Sequence, residues 1–147
     1  SRSMNFNVES TSNLLIVENI IFGRIASGEF SRNCHFSDQW RIRRDQKLVL
    51  AENFFFTGHE SLYGKANLGN NNSVCTVIYV SLYSEGYLKQ VREIISQRKL
   101  TGGASCWNNC LVGRVVAEDP SLIKHFTTLL LELFSNDKGS IPRVWLN

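Results

Sequence analysis

The apolar residues of this chain change their period once, at Ser84, and that change constrains the fold more than any other feature. Before it, apolar side chains come in short runs rich in β-branched and aromatic residues, broken by Gly, Asn and Asp, which is the pattern of strands and turns. After it, Tyr87, Leu88, Val91, Ile94 and Ile95 recur at helical spacing and predict a helix over about 84–98, with Ser84 as candidate N-cap and Thr101-Gly102-Gly103 beyond its end. Residues 111–117 read as a strand. Asp119-Pro120 then sets a capping carboxylate before a proline suited to a first helical turn. Leu122, Ile123, Phe126, Leu129, Leu130, Leu133 and Phe134 give a second helix over about 120–135 a broad apolar stripe, and an extended tail, 141–147, follows.

Within the first half, strands are expected between about residues 6 and 82. Residues 14–22 are too apolar on both faces for a half-exposed strand and predict a buried one, interrupted by Glu18. Trp40-Arg41-Ile42-Arg43 alternates strictly, Arg44-Asp45-Gln46 forms a polar turn, and residues 47–52 complete a hairpin. Residues 53–56 extend that strand toward Thr57-Gly58, and 64–73, with Gly69-Asn70-Asn71-Asn72, is a loop before a strand over 74–82. The class is therefore mainly β with two C-terminal helices, an α+β chain.

At 147 residues, 43% of them hydrophobic and 20% charged, the chain is long enough for one domain, 1–147, with a real core. No apolar run reaches eighteen residues and residues 1–12 are polar, so the reading is a soluble cytoplasmic protein without a membrane span. The net charge is +3. Its basic residues, Arg41, Arg43 and Arg44, then Arg92, Arg98 and Lys99, are separated by acidic neighbours, which argues against a nucleic-acid-tracking surface.

Several constellations invite chemistry. Cys106 and Cys110 stand four apart, but a zinc site needs two further soft or imidazole ligands, and nothing nearby supplies them. Cys34-His35 suggests an activated thiolate, yet neighbours on a strand point to opposite faces. His59 follows a turn glycine and His125 falls inside the second helix, where a solvent-facing or satisfied histidine is the expected reading. Phosphate loops, nucleophile elbows and dinucleotide fingerprints are missing from the sequence. Glu18 is different: a carboxylate inside an apolar strand is costly to desolvate, so it needs an arginine such as Arg24, a hydrogen-bond network, water or a cation. Trp40 and Trp107 leave open a second class, a β-rich carbohydrate- or protein-binding module.

Residues 15–24, an apolar strand with Glu18 that ends in Gly23-Arg24, followed by Ser27-Gly28-Glu29, resemble the pattern of the UreD (UreH) family of urease accessory proteins. Trp40-Arg41-Ile42-Arg43-Arg44 with residues 48–52 is similar to that family's arginine-rich hairpin. Gly102-Gly103-Ala104-Ser105 resembles its short turn before a strand, and Ile141-Pro142-Arg143-Val144-Trp145 its Pro-Arg-Val-Trp close. The resemblance runs from about Phe6 onward and implies the C-terminal part of a longer protein whose N-terminal strands are absent here. It implies a layered, β-helix-like stack of strands and a non-enzymatic scaffold. Such a protein, with UreF and UreG, passes nickel into apo-urease without holding a tight cofactor. Under it, Glu18 and Glu29 become candidates for a transient Ni²⁺ path, because oxygen ligands release a borderline cation that thiolates would retain. Arg143 and Trp145 become candidate contacts for UreF.

Overall fold

The computed structural model describes residues 1–22, 35–57, 68–98 and 100–135. Within them the chain forms strands β1 (Arg2–Val8), β2 (Leu14–Ile21), β3 (His35–Arg44), β4 (Lys47–Thr57) and β5 (Ser73–Val80), then helix α1 (Ser84–Gln97). Strands β6 (Thr101–Trp107) and β7 (Cys110–Ala117) and helix α2 (Pro120–Ser135) complete it.

The strands make two sheets. One has three strands in the order β1-β3-β4, and the other has four in the order β2-β5-β7-β6. Alternation decides what each face meets. In the four-stranded sheet, Cys75, Val77 and Tyr79 of β5 and Leu111 and Val115 of β7 point to a core shared with Val91 and Ile95 of α1 and Ile123, Phe126 and Leu130 of α2. The intervening positions, Ile78, Val80 and Cys110, face the other sheet and pack on Val8, Trp40, Ile42 and Leu50. The result is three layers: sheet, sheet, helices. Every residue of β5 is buried because this central strand is covered on both faces.

Both helices lie where their periods place them, and α2 opens as expected, with Asp119 Oδ1 accepting from the Ser121 backbone N–H at 2.8 Å. Four expectations are corrected. The residue before α1 is Tyr83, with no side-chain cap; Ser84 lies inside the helix, and its hydroxyl meets Cys106 Sγ at 3.3 Å instead. Residues 102–105 form no turn before a strand, since they belong to β6. Gly102 is needed there for close approach: a Cβ would stand 2.2 Å from the Arg114 carbonyl oxygen. Strand β1 starts at Arg2, not Phe6. Strand β2 is half-buried along most of its length because it lies at an edge of its sheet. Its apolar residues on both faces reflect the two layers it touches.

The passage from β1 through β2 to β3 crosses from one sheet to the other and returns, leaving β1 and β3 parallel. A repeated β-helical winding is not seen among the described residues, because β3–β4 and β6–β7 are hairpins and every pairing in the four-stranded sheet is antiparallel. Both hairpins turn through two residues at positive φ, Asp45 and Gln46 in one and Asn108 and Asn109 in the other. This backbone hand matches strand twist.

Candidate functional site

Between the two sheets, one layer of inward positions is polar. On β2, β5 and β7 the register sets Glu18 opposite Thr76 and Thr76 opposite Arg114, abreast in one row. Across from them, β1, β3 and β4 contribute Arg2 paired with Asp38, and Trp40 paired with Glu52. Apolar clusters lie on either side of this belt. One is built on Ile42, Ile78 and Val80. The other, built on Phe56, Leu68 and Val74, is joined by Phe22, Phe36 and Phe54.

The belt is internally paired. Arg2 donates from Nε to Asp38 Oδ1 at 2.9 Å, and its Nη2 reaches both Asp38 and Glu18. The Trp40 indole N–H donates to Asp38 Oδ2 at 2.7 Å. At the opposite edge, Arg114 Nη2 lies 3.1 Å from Glu52 Oε1, while its Nε donates to Thr76 Oγ1 at 3.2 Å and the guanidinium lies over the Phe54 ring. Burial pushes the Asp38 carboxyl up, but the Arg2 hydrogen bond, the Trp40 indole, the Arg2 charge and the Gln39 backbone together hold it below the usual range. The Arg2 guanidinium is raised, first through its hydrogen bond to Asp38 against the opposing effect of burial, and further by its hydrogen bond to Glu18 and the charges of both carboxylates.

The side chains enclose a cavity of about 10 Å³, close to what a single water requires. The arginines at its two edges stay partly open to solvent. The belt therefore runs between the sheets from the β1 and β2 edge across to β4 and β7 and holds three carboxylates against two guanidiniums. Among the described residues, no three His, Cys, Asp or Glu side chains converge to hold a metal ion.

Glu18 thus lies inside the sandwich with Arg2 as its partner. Arg24, Glu29, Cys34, His59, Arg143 and Trp145 lie outside the described residues. Trp40 is only 2% exposed, so it cannot serve as a carbohydrate platform. Cys106 and Cys110 sit on opposite faces of their hairpin: the first packs against the helix-side core, and the second faces the other sheet. Burial pushes the Cys75 and Cys110 thiols up to about 12. Sequence reasoning missed Arg2, Asp38, Glu52, Thr76 and Arg114. Their signal was faint but present, for Asp38 and Glu52 occupy inward positions of strands otherwise filled by Trp40, Ile42, Leu50 and Phe54.

The profile of the UreD urease accessory protein family matches residues 1–146. The chain belongs to the UreD family. A UreD urease accessory protein of Xanthobacter autotrophicus is 31% identical over 146 residues, covering 98% of this chain and 50% of that protein. Another, from Rhizobium rhizogenes, is 33% identical over 147 residues, covering 99% of this chain and 53% of the relative. A third, from Beijerinckia indica, is 31% identical over 150 residues, with 99% and 54% covered. The chain spans about half the length of the curated UreD relatives it matches. These relatives are named as accessory proteins, not as urease itself. No helix among the described residues is long and apolar enough to cross a membrane.

Proposed function

We propose that this chain acts in the cytoplasm as a non-catalytic scaffold of urease maturation. In this reading it works with UreF and UreG on apo-urease, and Ni²⁺ moves along the polar belt as cargo. The observation that carries the reading is the belt itself, a polar row across the space between the two sheets with one carboxylate more than its guanidiniums, in a chain of the UreD family.

A conduit must lower the desolvation cost of a divalent ion without trapping it. Carboxylates and a hydroxyl bind a borderline ion through oxygen and let it go, and guanidiniums that neutralise those carboxylates at rest keep the resting affinity low. An arriving ion would displace Arg2 from Glu18, or Arg114 from Glu52, exchanging one positive partner for another. Glu29 is proposed as a second carboxylate of this path, and Arg143 and Trp145 as contacts for UreF.

The test is Glu18→Ala in the longest reading frame that contains this chain, co-expressed with urease and its other accessory proteins. Urease activation should fall while the UreF-containing complex is still recovered. Equal loss of complex would assign Glu18 a purely structural role.

A further inference from the structure

The end of the sandwich away from the aromatic cluster holds a group that the nickel reading does not use. Arg44, the last residue of β3, is 8% exposed, and its Nη2 donates to the carbonyl oxygens of Ser10 and Ser12 in the exposed segment between β1 and β2. Among the described residues its buried Nε and Nη1 have no hydrogen-bond partner, and no carboxylate pairs with it. A buried guanidinium with two unpartnered nitrogens, three N–H donors between them, is costly unless an acceptor arrives in the working state.

Large apolar side chains stand exposed at the same end. Ser81 ties its backbone N–H to the Asn109 carbonyl of the β6–β7 turn at 3.0 Å. This sets Leu82 and Tyr83, 58% and 73% exposed, beside the hairpin that carries Trp107, 42% exposed. Val8, paired with Arg44, packs in one cluster with Val80 and Cys110, so the arginine and the aromatic tip belong to one end. Exposed tryptophan and tyrosine on the same end as a desolvated arginine make the composition of a protein-binding hot spot.

We propose that this end docks a protein segment carrying a carboxylate beside apolar side chains. Leu82, Tyr83 and Trp107 take the apolar groups, and the free N–H groups of Arg44 receive the carboxylate. To admit it, the Ser10–Ser12 carbonyls must move, so docking and opening of the β1–β2 turn are one event. The unpaired cation selects an acidic segment over a neutral or basic one.

Fluorescence anisotropy with labelled ten-residue peptides of alternating Leu and Glu, Leu and Gln, or Leu and Lys tests this on the whole chain. The Glu peptide should bind at least tenfold more tightly than the Gln peptide, and the Lys peptide should not bind. Arg44→Met should erase the difference between Glu and Gln, and Tyr83→Ala should weaken the Glu peptide about tenfold. Hydrogen exchange at Ser10–Ser12 should rise when the Glu peptide is bound to the unmodified chain. That measurement decides the matter if Arg44→Met does not fold. Equal binding of Glu and Gln peptides, no binding, unchanged exchange, or a single-stranded DNA of equal length binding as tightly as the Glu peptide would overturn the proposal.

Discussion

At the scale of single residues, Asp38 is the hub of the belt, since it accepts from Arg2 and from the Trp40 indole. Asp38→Ala would leave the indole N–H without a partner and free Arg2, which keeps water at its exposed side. The loss should therefore lie near the lower end for a broken buried pair, about 2–3 kcal/mol. Because the folded carboxyl titrates below its unfolded value of about 3.9, its contribution is complete above that value and is lost as pH falls through the lower, folded one. Urea unfolding should show a constant difference between the parent chain and Asp38→Ala from neutrality to about pH 5, shrinking below about pH 4. A difference that grows on acidification would refute the pairing. Glu18 was legible in the sequence as a carboxylate in need of a partner; Arg2 as that partner was not. Their contact crosses two sheets, and strand period says which face a residue takes but not which strand lies over it.

Among the elements, both helices were readable almost to the residue because amphipathic stripes carry their own boundaries. Strand β6 was not. Its glycines and small residues carry no apolar alternation, and Gly102 is present because the neighbouring backbone leaves no room for a side chain. Gly102→Val should push β6 off β7 and lower stability by about 2 kcal/mol or more, read as a drop in the urea midpoint. The same hairpin separates its cysteines onto opposite faces, so oxidation should yield no Cys106–Cys110 disulfide. Native alkylation followed by peptide mass mapping should label Cys106 well before Cys75 or Cys110, whose thiols are buried and resist ionisation. Rapid labelling of Cys110 would show that the two sheets are not packed as described.

For the molecule as a whole, two sheets under one helical layer leave β4, eleven residues long, paired only with β3 among the described residues. Its outward Phe55 is exposed. Such an edge invites association with other strands. The chain on its own should self-associate at micromolar concentration, and Phe55→Lys should shift it toward monomer in light scattering; a parent chain that is monomeric throughout would contradict this. The sandwich also explains why the polar belt was invisible as a unit. It gathers residues from β1, β2, β3, β4, β5 and β7, and one sequence records them only as scattered polar exceptions to apolar strands. The proposed passage of nickel along this belt toward urease is tested most directly by the metal content of urease matured beside Glu18→Gln, compared at equal recovery of the accessory complex. Nickel per urease active site should fall severalfold while the complex forms normally, and full nickel loading with the carboxylate removed would contradict passage along the belt.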